Sequence, residues 1–244
     1  KVIYIETPSN PLLTITDLDA IATLAKKHGL ISMIDNTFAS PVNQNPIDFG
    51  IDVVIHSATK YMGGHSDICA GAVASTTENM ERIFHLAKNF GGSLSDYTVW
   101  LSERSIKTMG IRVKAQNENA LAMAHYLNEL EDVEIVYYPG LPSHKDHNIA
   151  NKQMKGFGGM LSFELNANLD ASKFQKALQL IKPSMSLAGV ESTVLSPTQT
   201  SHALMSAEVR AEQGISDGLI RFSLGIEEIE DLKNDIQQAL NSIK

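Results

Sequence analysis

Three short apolar runs, rich in β-branched residues, set the frame of this chain. They lie at positions 2–5, 31–34 and 53–55. Each reads as a buried strand. Between the first two, Leu18, Ile21, Leu24 and Ala25 recur at helical spacing. Thr16 is the expected N-cap, with Asp17 and Asp19 in the first turn and Gly29 closing the helix. A proline-containing loop with one short helical turn leads on to the third run. Strand, crossover, strand is the grammar of a parallel sheet covered by helices, because parallel neighbours cannot be joined by a tight turn.

The three runs share a second property, in that each is followed at once by polar residues. Asn10 follows the first, Asp35 and Thr37 the second, and Ser57, Thr59 and Lys60 the third. Open α/β sheets bind ligands just outside their strand carboxyl ends, so the pattern points to a site at that edge. Lys60 stands out there. A lysine beside a buried strand end is partly desolvated, which lowers an ammonium pKa, and a neutral amine is what Schiff-base chemistry needs. The residues alone leave two readings open, a reactive lysine flanked by two hydroxyls or a solvated loop. Gly63 and Gly64 let the backbone turn tightly after it.

Downstream, residues 68–75 read as a further strand that holds Cys69 in the core. Residues 77–88 read as a helix with Met80, Ile83, Phe84 and Ala87 on one face, broken by Gly91 and Gly92. From about 96 to 130 the pattern is helical, interrupted near Gly110, as expected of a helix that links two domains. Strands are expected at 133–137, 159–165 and 218–226, and amphipathic helices at 171–181 and 230–243. The resulting division is a larger domain over 1–110 and a smaller α+β domain over 111–244, which includes the linking helix. Arg221 lies inside the apolar run 219–225. A buried charge needs a partner, and either a salt bridge or an anionic ligand satisfies that need.

The bulk numbers narrow the function classes. At 244 residues and net charge −8, with no block of like charge, the chain does not suit nucleic acid or an anionic membrane. One cysteine leaves no intrachain disulfide and fits a reducing cytoplasm. No apolar run approaches transmembrane length. Gly63-Gly64 lacks the spacing of a Walker phosphate loop. His65 reads as shaping its loop, and His144, His147 and His202 have no metal-ligand spacing, so no metal is expected. Arg104 and Lys107 suit subunit contacts or plain solvation. A strand that opens at the second residue, after Lys1, leads to the expectation of an upstream portion.

The segment Ser57-Ala58-Thr59-Lys60-Tyr61-Met62-Gly63-Gly64-His65-Ser66 resembles the pyridoxal-phosphate (PLP) lysine signature of the Cys/Met-metabolism enzymes. Family-like blocks recur at 6–11, 34–37, 186–192 and 219–225, so the resemblance runs the length of the chain. It implies an α/β fold of the aspartate-aminotransferase-like, fold type I class. The large-domain part would carry a mainly parallel sheet, joined to a smaller α+β C-terminal domain. It implies PLP held covalently by Lys60, which later takes the Cα proton. Asp35 would pair with the pyridinium nitrogen, Thr37 with the ring face, Asn10 with the phenolic oxygen, and Ser57 and Thr59 with the phosphate. Arg221, with Ser186 beside it and Asn10 nearby, would clamp the substrate α-carboxylate.

The activity implied is γ-elimination or γ-replacement on a sulfur-containing amino acid or an O-acylhomoserine. Met185, apolar where relatives that handle cystathionine frequently carry glutamate, leans toward a neutral γ-substituent. β-Elimination is the nearest alternative, followed by a non-catalytic remnant and then a PLP-binding regulatory module. The resemblance further implies a cytoplasmic homo-oligomer, a dimer of dimers. It also implies an upstream portion that supplies a ring-stacking tyrosine, part of the phosphate site and the leaving-group acid.

Overall fold

The structure is a computed structural model, and it describes residues 1–200 and 203–244; His202 therefore lies outside the described residues. The first sheet is built from β1 (Val2–Glu6), β2 (Ile31–Asp35), β3 (Val53–Ser57) and β4 (Gly71–Ser75). Its strands lie in sequence order, with β1–β2 and β2–β3 parallel and β3–β4 antiparallel. Helix α1 (Leu18–His28) makes the first crossover, and the short α2 (Ser40–Asn43) lies in the second. One face of the sheet closes over Leu18, Ile34, Ile51 and Val54. The parallel arrangement expected from the three apolar runs is therefore present.

Local details differ from the sequence reading. The α1 cap is Asp17, not Thr16: its side chain accepts from Ala20 N at 3.1 Å. An aspartate one residue later gives the same cap with a charge at the positive helix end. Gly29 closes the helix at φ 62° as expected. β4 starts only at Gly71, because residues 65–70 are spent on the return loop. Cys69 sits in that loop and is exposed, not in a strand core.

Helices α3 (Thr77–Phe90), α4 (Asp96–Ile106) and α5 (Met109–Asn128) follow. The helical break falls at residues 107–108, and Gly110 is carried inside the first turn of α5. The face expected on α3 does not close: Phe84 is 64% exposed and Phe90 84%.

The second sheet comprises β5 (Val133–Tyr137), β6 (Met160–Leu165), β7 (Lys182–Pro183), β8 (Thr193–Leu195) and β9 (Leu219–Ser223). Its spatial order is β5-β6-β9-β8-β7, antiparallel except for the β7–β8 pair. Around it lie α6 (His147–Gln153), α7 (Ala171–Ala177), α8 (Ala207–Glu212) and α9 (Ile229–Ile243). Helix α7 ends four residues short of the expected limit. Leu161, Phe163, Ile220 and Phe222 from the sheet pack on Met123 and Leu127 of α5, Phe174 of α7, and Leu232, Ile236 and Leu240 of α9. The fold is thus α/β, with a mainly parallel sheet followed by an α+β unit. Among the described residues no helix is long and apolar enough to cross a membrane, and no His/Cys/Asp/Glu cluster could hold a metal ion.

Candidate active site

The carboxyl ends of β1, β2 and β3 lie side by side, with Glu6 opposite Asp35 and Asp35 opposite Ile55. The loop after β2 stitches them together. Thr37 N donates to Asp35 Oδ1 at 2.9 Å, and the Thr37 hydroxyl accepts from Ser57 N at 2.7 Å. Thr37 is buried, so its hydroxyl spaces the two strand ends. Asp35 keeps its other oxygen free of partners among the described residues, and so does the Ser57 hydroxyl. Thr59 differs: its hydroxyl accepts from Ala70 N at 3.0 Å and donates to Ala70 O at 3.3 Å, pinning the return loop. Glu6, beside Asp35, has its pKa raised by burial and then by the Asp35 charge. His56, on the same strand as Ser57, is held below the ordinary imidazole value by burial, which Asp35 opposes.

Lys60 follows in a tight turn. Lys60 N donates to Ser57 O at 3.1 Å, Gly63 N to Ala58 O at 2.8 Å, and Gly64 N to Lys60 O at 2.7 Å. The side chain is half-buried. Burial pushes its ammonium pKa below the lysine value, the Arg221 charge pushes the same way, and Cys69 opposes them. Lys60 is therefore more readily neutral than a surface lysine. Next to it Tyr61 is fully buried, its hydroxyl accepting from Gly159 N at 2.9 Å. His65 bonds Gly63 O through Nδ1 at 2.8 Å, the loop-shaping role expected of it.

Arg221 sits at the centre of the second sheet, opposite Ser162 on β6 and Leu195 on β8. It is 4% exposed. Among the described residues it meets no carboxylate. Nη2 donates to Met185 O at 3.1 Å, and Nη1 reaches Asn10 Oδ1 at 3.4 Å. Burial lowers its pKa to about 10, which leaves it charged at neutral pH. A buried guanidinium held only by neutral oxygens is under-compensated. Of the two partners the sequence left open, the salt bridge is absent here.

The remaining residues tie these parts together. Ser162 Oγ donates to Pro11 O at 2.7 Å, anchoring the Asn10 loop to the second sheet. Val190 N donates to Gly64 O at 2.9 Å, and Ser66 Oγ lies 3.1 Å from Ser186 Oγ. Leu13, Ser66 and Ala188 all adopt left-handed φ, at 55°, 56° and 61°. These three non-glycine residues lie in the loops that carry Asn10, Lys60 and Ser186, and strain of this kind collects at functional sites.

The structure thus brings Asp35, Thr37 and Ser57 together at one edge, and Asn10, Arg221 and Met185 at another. Lys60 lies close enough to Arg221 to feel its charge. Ser186 joins through Ser66. Sequence reasoning missed Ser66 and Arg112, a buried arginine on α5 that holds the Lys60 turn. The signal for Arg112 was an arginine between Ile111 and Val113, as unusual there as Arg221 is in its strand.

The model of the family described as "Cys/Met metabolism PLP-dependent enzyme" matches residues 1–241. A cystathionine β-lyase of Lactococcus lactis subsp. cremoris is 47% identical over 98% of this chain and 63% of its own length. A cystathionine γ-lyase of Bacillus subtilis is 46% identical over 100% of this chain and 64% of its own. Among solved structures, a cystathionine γ-synthase from Xanthomonas oryzae pv. oryzae superposes with TM-score 0.95 at 45% identity, covering 99% of this chain and 63% of that one. The chain therefore spans just under two thirds of the length of these relatives.

Proposed function

This chain belongs to the Cys/Met metabolism PLP-dependent enzyme family. From that premise we propose that it is the lysine-bearing part of an enzyme of the cystathionine γ-synthase, γ-lyase or methionine γ-lyase type. Its reaction is elimination or replacement of the γ-substituent of a sulfur-containing amino acid or an O-acylhomoserine. The observation that carries the reading is the pair formed by a half-buried Lys60 of lowered pKa and a buried Arg221 with no carboxylate among the described residues.

The donor set fits the cofactor. Lys60 supplies an amine, Asp35 a carboxylate oxygen without a partner among the described residues, Ser57 a hydroxyl donor, and Asn10 an amide. Thr59 fits less directly, since its hydroxyl is committed to Ala70. When bound, PLP supplies an electron sink for negative charge at the substrate Cα.

The chain's own residues do the rest. Lys60 would hold the cofactor, and its amine, more readily neutral than that of a surface lysine, would take the substrate Cα proton. Asp35 would pair with the cofactor's ring nitrogen and favour its protonated form. Arg221 would receive the substrate α-carboxylate on its planar fork and so orient the substrate in the site. Met185 O and Asn10 Oδ1 hold that fork in place before substrate arrives, so little reorganisation is needed on binding. The exposed Met185 side chain beside Ser186 offers no anion to a distal ammonium, which suits a neutral γ-substituent. In this reading the smaller unit at 111–244 contributes Arg221 and Ser186 to the site built on 1–110. A cytoplasmic, homo-oligomeric state accords with the family reading.

Product analysis tests the reaction. Cleavage at Cγ of cystathionine leaves a four-carbon 2-oxo acid and cysteine; cleavage at Cβ leaves pyruvate and homocysteine. The proposal predicts 2-oxobutanoate from PLP-loaded protein given cystathionine, methionine or O-acetylhomoserine. Pyruvate as the main oxo acid would overturn it in favour of β-elimination.

A further inference from the structure

Arg112 is buried on α5, 5% exposed, and pairs with no carboxylate among the described residues. Its fork is spent on the backbone. Nη1 donates to Tyr61 O at 2.9 Å, Nη2 to Met62 O at 3.3 Å and to Ser105 O at 2.9 Å, and Nε to Thr108 Oγ1 at 3.2 Å. Tyr61 and Met62 directly follow Lys60. We propose that Arg112 is a positioning residue for Lys60, a two-pronged clamp that fixes the turn presenting the reactive amine. This deepens the functional reading above and rests on it for the role of Lys60.

Two features argue that the guanidinium is required as such. First, carbonyls 61 and 62 end a turn in which two other oxygens are already taken: Ala58 O by Gly63 N and Lys60 O by Gly64 N. Without Arg112, Tyr61 O would lose its donor inside the protein, a costly state for a buried carbonyl. Secondly, Gly64 makes room for it. Gly64 adopts φ 70°, and a Cβ there would overlap Nη1 of Arg112. The glycine is needed both for its backbone and for the space the guanidinium fills. A lysine at 112 would keep the charge but not the planar fork that spans two successive carbonyls.

The clamp acts on Lys60 only through the backbone. The side chains that act on the amine itself are Arg221 from β9 and Cys69 from the return loop. Loosening the turn lets water reach the ammonium and moves Lys60 back toward an ordinary lysine.

The test is competitive amine labelling of the ligand-free protein across pH, read at Lys60 against exposed lysines by peptide mass. Amide hydrogen exchange at Gly63 and Gly64 is followed in parallel. Arg112→Met should shift the Lys60 midpoint upward and speed exchange at both glycines by roughly tenfold or more, the scale of a lost charge-assisted hydrogen bond. Exposed lysines should not move. Arg112→Lys, which covers the case of a Met variant that fails to fold, should give the same direction with a smaller shift. Gly64→Ala should reproduce the Lys60 shift, and combined with Arg112→Met should add little to it, as expected of two residues in one contact. An unchanged Lys60 profile in a folded Arg112 variant, or fully additive shifts, would overturn the proposal. Borohydride trapping of PLP on the unmodified chain is the separate arm. No adduct at Lys60 would sink the cofactor reading, while the labelling result still decides whether Arg112 holds the turn.

Discussion

The two sheets of this chain are equipped very differently. The second is packed from both the strand and the helix side: Phe163 and Phe222 are fully buried, and Phe163 meets Phe174 edge to face at 6.1 Å. Asp235 on α9 reinforces it by accepting from three successive backbone amides, Gln179, Leu180 and Ile181, at 2.8–3.0 Å. The first sheet closes one face over a small cluster and leaves the other thinly covered. Val2 and Tyr4 on β1 are more than half exposed, and α3 has no buried residue. Yet the thinly packed sheet carries Asp35, Ser57 and Lys60. The better-packed core and most of the candidate site therefore lie in different halves, and the packed half contributes to the candidate site mainly through Arg221 and the loop that carries Ser186.

The sharpest way to break this contrast is by truncating a side chain in the packed half. Phe163→Ala should cost about 3–5 kcal/mol in urea unfolding, the usual range for a buried phenylalanine. A loss below about 1 kcal/mol would mean the core is less continuous than its contacts indicate.

Next in size is Arg221→Met. Removing a buried, under-compensated charge should leave unfolding free energy within about 1 kcal/mol of the starting value. The same change should lower kcat/KM by about a hundredfold or more, as expected when a charge pair with substrate is lost. A large stability loss with unchanged kinetics would make Arg221 a structural residue.

A pH series sharpens the comparison, because among the described residues each half holds one buried histidine, His56 and His144. Burial lowers the pKa of His56 and, as the main cause, of His144. Below the unfolded value of about 6.5 the unfolded chain binds protons that these sites resist. The stability they contribute is therefore complete above that pH and lost as pH falls through the folded values. His56→Gln should flatten the acid loss of exchange protection in β3 alone, and His144→Gln that in residues 139–153 alone. Loss spread equally over both halves in each variant would show that the halves unfold as one unit.

The smallest effect belongs to the surface of α3. Phe84→Ser should change unfolding free energy of this chain by less than about 0.5 kcal/mol, since the ring is 64% exposed and meets the neighbouring His85 ring edge-on at 6.2 Å.

Much of this was legible in the sequence, and the reasons are local. The strands β1, β2 and β3 follow from β-branched runs cut off by polar residues, and the lysine turn from the glycines that close it. The Asp17 cap was missed by one position because threonine and aspartate are both favoured caps, and the backbone decides between neighbours. The pair β7–β8 was not legible: Lys182–Pro183 and Thr193–Leu195 are too short to carry periodicity and exist only by pairing with each other and with β9. At the site, Lys60 and Asp35 were visible through residue type and place. Arg112 was not, because its partners are carbonyls, which every sequence has everywhere. The Thr59–Ala70 bond likewise depends on how a loop returns.

The central claim is that Lys60 is the residue that takes the cofactor. Borohydride reduction of the protein in excess PLP, followed by peptide mass mapping, tests it most directly. The account predicts a pyridoxyl adduct on Lys60. An adduct confined to other lysines, or none at all, would contradict it.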